Sequence, residues 1–223
     1  MKKSLSIALL CALSVLSPAV AQEKVLRIAM TASDIPTTTG MPNNGFEGMR
    51  FLGFPVFEGL IAFDLTTTGP VKLVPGLAEK WEQDPADKKT WIFHLRKGVK
   101  FHDGSEFNAD AVIWNFERIF NKDSKQFEAN ATGIMRARMP LLASYKKIDD
   151  YTVALNTTIV ASFFQWMVPY MLIGSPAAFE KAGGDWGKVQ FAPAGTGPFK
   201  ITKFVPRQSV TLEKNKEYWD SRR

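Results

Sequence analysis

Apolar and polar positions change their spacing several times along the chain, and each change predicts an element. Val25 to Ala29 (VLRIA) alternates and predicts a short strand, while Thr31 to Asn44, rich in Thr, Pro, Gly and Asn, predicts a loop. From Gly48 to Leu60 the residues Met49, Phe51, Leu52, Phe54, Val56, Phe57 and Leu60 give the pattern of a buried helix broken near Pro55. Ile61 to Asp64 and Val71 to Val74 predict a hairpin across a Thr-rich turn. Trp91 to Leu95 (WIFHL) predicts a strand, followed by turns at Gly98 and at Asp103-Gly104. Asn108 is a helix N-cap with Asp110 in the first turn, and Val112, Ile113, Phe116, Ile119 and Phe120 then share one helical face. Tyr145 to Ile148 and Tyr151 to Asn156 predict a second hairpin around Asp149-Asp150. Ala161 to Met171 predicts a buried aromatic helix, and Ser175-Pro176 opens another that Gly183-Gly184 closes. Phe199 to Phe204 and Ser209 to Lys214 predict a last pair of strands. This mixture lacks the regular alternation of a doubly wound sheet, which predicts α+β local order.

The first residues follow a different logic. Met1-Lys2-Lys3 is basic, Leu5 to Leu16 is apolar apart from Ser6 and Ser14, Pro18 ends the run, and Ala19-Val20-Ala21 places small residues where a signal peptidase reads. That pattern predicts a secretory signal peptide over residues 1–21, cleaved before Gln22. The apolar run is shorter than the about 20 residues that a membrane-spanning helix needs. Removing those 21 of the 223 residues leaves 202, lowers the formal charge from +6 to +4 as Lys2 and Lys3 leave, and removes the single cysteine, Cys11. The exported chain then has no disulfide, no thiol nucleophile and no cysteine-based metal site.

Composition is that of an ordinary globular protein, 45% apolar and 22% charged. The basic balance raises nucleic acid as a partner. Its one loose basic group, Arg136, Arg138, Lys146 and Lys147, is followed at once by Asp149 and Asp150, so a solvated surface is the better reading and no nucleic-acid partner is expected.

Catalytic motifs are missing: the chain has no Gly-x-Ser-x-Gly elbow, phosphate loop, His-Glu-x-x-His or dinucleotide fingerprint. Strand alternation puts His94 on the face of Ile92, as a structural histidine, and His102 precedes a turn, where a cap role fits better than catalysis. Asp149-Asp150 reads as a turn, and Glu79 with Glu82 as a solvated edge. No cofactor and no metal are expected. The segment Asn43 to Met49 (NNGFEGM) is the better binding candidate, because an aromatic, an acid and a methionine beside glycines can meet a ligand by backbone and side chain. Its plainer alternative is a loop-to-helix junction with Phe46 as a hydrophobic staple.

Two stretches carry a family likeness. The first is PGLAEKW (Pro75 to Trp81) with KTWIFHLRKGVKFHDGSEFNADAVIWNFERIF (Lys89 to Phe120); the second is GTGPFKI (Gly195 to Ile201) with VTLEKNKEYWD (Val210 to Asp220). In that order they resemble the peptide/nickel class of extracellular solute-binding proteins of ABC importers, family 5. The resemblance implies an α/β fold with an α+β insertion, two-lobed and periplasmic-binding-protein-like (class II type), of which this chain is the N-terminal part. Residues 22–64 would begin the first lobe, 65–190 form the inserted α+β subdomain, and 191–223 return to the first lobe through GTGPF, whose glycines would allow a tight turn.

The function implied is capture of a peptide or another small solute in the periplasm and its delivery, by a monomer, to a permease in the inner membrane. Gly45, Phe46, Glu47 and Met49 are the residues of this chain expected to reach the ligand. Members of this class are more than twice as long, so the second lobe is expected to be absent, and with it an acid that holds a peptide's amino terminus. A truncated or frameshifted product that binds poorly is the resulting expectation. An exported hydrolase using His94 or His102, and an interaction fragment, remain open alternatives.

Overall fold

The computed structural model of the chain describes residues 24–29, 48–66, 68–189, 195–205 and 208–220. The expected export signal, the 31–44 loop, and Gly45, Phe46 and Glu47 lie outside them. Among the described residues no helix is long and apolar enough to cross a membrane.

A helical segment α1 (Met49–Gly53) runs directly into α2 (Phe54–Val56). The Phe54 N–H bonds to the Met49 carbonyl, five residues back, so α1 is wound wider than an α-helix. Pro55 accounts for this: it has no N–H to give, and its ring crowds the preceding turn. Phe57 is extended and ends the element three residues before the expected limit at Leu60. Strands β1 (Ile61–Phe63) and β2 (Leu73–Pro75) form the expected hairpin, with Ile61 opposite Pro75 and Phe63 opposite Leu73.

The main sheet is antiparallel and has four strands in the order β3 (Ala78–Gln83), β4 (Thr90–Leu95), β6 (Thr152–Thr157), β5 (Leu142–Asp149). Alternation along β4 and β6 sends Trp91, Phe93, Leu95, Val153 and Leu155 to one face, where they are buried. Helix α3 (Ala109–Phe120) covers that face with Val112, Phe116 and Ile119, and α4 (Ala129–Arg138) adds Ala131 and Met135. Asn108 caps α3 as its sequence predicts, its side-chain oxygen accepting the Ala111 N–H at 3.0 Å. The other face is polar: Thr90 donates to Asn156 at 2.7 Å and Asn156 to Ser144 at 2.8 Å, a ladder across three strands.

Beneath α3 the side chains of Arg118 and Glu128 are buried together, Nη2 to Oε2 at 2.5 Å and Nε to the same oxygen at 2.7 Å. The guanidinium also lies 4.3 Å from the centre of the Trp186 ring, in α6 (Trp186–Val189), and Nη1 reaches Asn115 at 3.3 Å. Asn115 in turn gives its amide to Gly174 O and accepts the Gly174 N–H, tying α3 to the chain before α5 (Pro176–Lys181). Lys147 bridges Asp110 and Asp150, and the Arg136 and Arg138 guanidinium groups lie over the rings of Phe120 and Tyr170.

Two expected elements differ. Residues 24–29 form no strand: Val25, Leu26 and Ile28 are exposed, and no strand among the described residues pairs with them, so their backbone groups have no ladder to join. The expected helix from Ala161 to Met171 is two 3₁₀ turns, Ser162–Trp166 and Val168–Tyr170, with Phe164 buried but Phe163 and Trp166 exposed. Pro169 supplies no N–H to continue one turn into the next. The last hairpin is present as β7 (Phe199–Val205) and β8 (Ser209–Lys214).

Candidate functional site

The motifs that stand far apart in the sequence meet around the chain that leaves α2. A second, smaller hydrophobic cluster seats this region: Met49, Leu52, Val56 and Phe57 pack with Leu172 and Ala178, and Ile201, Val210 and Leu212 of the last hairpin close over them. Gly195 and Gly197 pass directly beside α2. A β-carbon at Gly197 would stand 2.6 Å from the Pro55 carbonyl oxygen, and the Gly197 N–H donates to Val56 O at 2.9 Å. Neither glycine has a positive φ. The chain bends at Gly197 and Pro198, and close backbone approach to α2 is what the two glycines allow there.

Between those glycines, Thr196 donates its hydroxyl to Glu58 Oε2 at 2.9 Å. The same oxygen accepts the indole N–H of Trp219 at 2.7 Å, and Oε1 accepts the Tyr218 hydroxyl at 2.6 Å. The backbone of Glu58 is held too, its carbonyl accepting the Ile173 N–H at 2.9 Å. Arg96 joins from the strand side: its guanidinium lies 4.5 Å from the centre of the Trp219 ring, and Nε donates to Gly76 O at 2.7 Å. Glu58 had no sign in the sequence, because its side-chain partners lie 138 to 161 residues away.

His102 closes the arrangement from the KFHDG turn. Its N–H donates to Gly195 O at 2.7 Å, and its Nε2 lies 2.9 Å from Gly197 O, which also receives the Asn215 amide at 3.2 Å. A carbonyl can only accept, so in the neutral ring Nε2 carries the proton and Nδ1, buried without a partner among the described residues, does not. Burial holds the pKa of this imidazole below its usual value, aided by Lys200 and opposed by the Gly197 bond and Asp103. The neighbouring Asp103 accepts from Ser175 Oγ at 2.5 Å, and Ser175 caps α5. His94 lies on the outer face of the sheet, 3.2 Å from Glu82.

Of the residues expected at the ligand, Met49 is described: it is 2% exposed and belongs to the smaller cluster, so it is a core residue and presents no surface to a ligand. In the sequence Gly48 separates Gly45, Phe46 and Glu47 from Met49. Elsewhere, an open groove of about 290 Å³ lies between the start of α3 and α5, lined by residues including Ser105, Glu106, Asp110, Trp114 and Pro176. Its volume lies at the lower end of the about 300 to 1,000 Å³ usual for small-molecule sites. Among the described residues no group of His, Cys, Asp and Glu is placed to hold a metal ion.

Over 178 residues the chain is 36% identical to the di/tripeptide-binding protein 1 of Pseudomonas aeruginosa, covering 74% of this chain and 32% of that protein. It is 32% identical over 183 residues to the dipeptide-binding protein of Escherichia coli, covering 75% and 33%. The chain thus spans about a third of the length of these curated relatives. Among solved structures, the periplasmic binding protein DppA of Helicobacter pylori in complex with the peptide STSA superposes with a TM-score of 0.68 at 25% identity, over 81% of this chain and 37% of that one. The dipeptide-binding protein of Pseudoalteromonas sp. SM9913 in complex with Met-Leu gives 0.66 at 25% identity, over 85% and 38%. The mixed α/β architecture is therefore part of a periplasmic-binding-protein fold. Residues 72–223, more than half of the chain, match the family described as bacterial extracellular solute-binding proteins, family 5 Middle, and the chain belongs to that family.

Proposed function

We propose that this chain is part of a periplasmic protein that captures peptides and hands them to the permease of an ABC importer. The observation that carries this reading is the 36% identity to a di/tripeptide-binding protein across 74% of the chain. Capture needs no covalent chemistry: a solute-binding protein works by favouring, on binding, the conformation with the higher affinity. The setting of His102 supports a binding role over hydrolysis: its unprotonated nitrogen, Nδ1, is buried, and no hydroxyl among the described residues is bonded to it. Residues 22–64 and 191–223 belong to one lobe on this reading, and 65–190 to an inserted subdomain. Gly45, Phe46 and Glu47 supply the ligand contacts on this reading, Gly45 through its backbone, Phe46 by stacking and Glu47 by its carboxylate. Met49 itself lies in the smaller cluster.

Isothermal calorimetry with di- and tripeptides, a nickel chelate, heme, an opine and a sugar tests this. In the whole two-lobed protein of which this chain is part, saturable heat with the peptides alone is expected, and Phe46→Ala and Glu47→Ala are each expected to raise Kd by about tenfold. Saturable heat with a non-peptide solute and none with peptides would move the ligand class. N-terminal sequencing of the exported protein is expected to begin at Gln22.

A further inference from the structure

We propose that the open groove between the start of α3 and α5 binds a small organic cation, an alkylguanidinium or alkylammonium group. Ala111, Trp114 and Pro176 give it an apolar lining, and the carboxylates of Glu106 and Asp110 stand in the same lining. Each carboxylate is held through one oxygen. Tyr151 donates its hydroxyl to Glu106 Oε1 at 2.5 Å, and Lys147 donates to Asp110 Oδ2 at 2.9 Å. Among the described residues, Glu106 Oε2 and Asp110 Oδ1 accept no hydrogen bond. Lys147 also reaches Asp150 at 2.7 Å, so one ammonium serves two carboxylates, while Glu106 has a phenol for its partner. Lys97 is engaged nearby, 5.3 Å from the centre of the Tyr151 ring, and no Lys or Arg lines the groove itself. Asp110 stands in the first turn of α3, where it offsets the positive end of the helix. On a chain whose formal charge is +6, this groove is therefore a local anionic exception that favours a cation. Its two walls keep their spacing without a ligand: Trp114 packs edge-on against Phe179 of α5 at 5.4 Å, Asn115 exchanges hydrogen bonds with Gly174, and Asp103 holds the Ser175 that caps α5. Such a groove takes an aliphatic stem on Ala111 and Pro176, and the charge beside the Trp114 ring and the two unshared oxygens. None of these residues takes part in the peptide reading above, so the two stand or fall separately.

The test uses the full chain and titrates it with butylguanidinium chloride at constant ionic strength. Nitrogen-15 NMR follows the indole N–H of Trp114, assigned with Trp114→Phe, and the amide of Ala111. Both resonances are expected to move saturably with a Kd of about 1 mM, while the Trp219 indole, bonded to Glu58, stays in place. Butylurea, of the same shape but without charge, is expected to bind at least about tenfold more weakly. Glu106→Gln and Asp110→Asn remove the charges yet keep acceptors for Tyr151 and Lys147, and the double variant is expected to raise Kd by about tenfold. If the double variant does not fold, Glu106→Gln alone must still raise Kd by about threefold. Acetylarginine amide carries the same group on a peptide backbone: equal affinity would support a side chain as the natural source of the cation, and weaker affinity a free one. No saturable movement up to about 50 mM butylguanidinium, equal binding of butylurea, or an unchanged Kd in the folded variants would each overturn the proposal.

Discussion

Gly195 lies so close to Val56 that a β-carbon built on it would stand 1.8 Å from the Val56 carbonyl oxygen. No side chain fits there without moving the backbone of α2 or of the loop. Gly195→Ala is therefore expected to cost about 3 kcal/mol, the upper range for overpacking a close contact. Gly69 is the control, since nothing lies within 4 Å of the same position and its φ is not in the left-handed region. Gly69→Ala is expected to leave stability within about 0.5 kcal/mol. Midpoints of urea denaturation for the two variants check the contrast.

The neutral imidazole of His102 makes the fold sensitive to mild acid. Its pKa is depressed in the folded chain, chiefly by burial, so below the ordinary histidine value of about 6.5 the unfolded chain binds a proton that the folded chain resists. Stability is then fully present above that pH and falls as pH drops below it. A proton added at Nδ1 would also find no acceptor among the described residues. His102→Gln keeps an N–H donor for Gly197 O but cannot titrate. Melting temperatures measured between pH 7 and pH 5 are expected to fall in the unaltered chain more steeply than in this variant.

Local elements were legible where one side chain or one alternation settles them. Asn108 caps α3 by a bond spanning three residues, and WIFHL buries every second residue, so both could be read without knowing the fold. The GTG loop was legible as a motif but not for its reason, which lies in the backbone of Pro55 and Val56, some 140 residues earlier. Glu58 was not legible at all. Its neighbours in sequence are apolar or glycine, and only the folded chain brings Thr196, Tyr218 and Trp219 to it. The strand expected at VLRIA was misread because alternation describes a face but cannot supply a partner.

Arg118 and Glu128 carry opposite charges out of water together, with side chains 1% and 6% exposed. Such a pair stabilises little relative to apolar residues of the same shape, yet losing one member strands the other. Arg118→Met, which leaves the Glu128 carboxylate buried without its cation, is expected to destabilise by about 3 to 5 kcal/mol. Adding Glu128→Gln removes the stranded charge, so the double variant is expected to be more stable than Arg118→Met alone. Chemical denaturation of both variants checks the order; equal midpoints would show that the carboxylate finds another partner.

Phe163 and Phe164 are neighbours with opposite fates, 53% and 0% exposed. In a buried α-helix from Ala161 to Met171 the apolar residues would nearly all have been covered. The 3₁₀ turn instead turns Phe163 outward and drives Phe164 into the main core, where its ring lies 6.3 Å from that of Trp91. Phe164→Ala opens a cavity under β4 and is expected to cost about 3 to 5 kcal/mol. Phe163→Ser removes exposed apolar surface and leaves the core intact, so its effect is expected to stay within about 0.5 kcal/mol. A comparison of the two by thermal melting separates the observed turn from the helix that the apolar pattern suggests. If both variants melted equally early, Phe163 would have to be covered as deeply as Phe164, and the helix would be the better description.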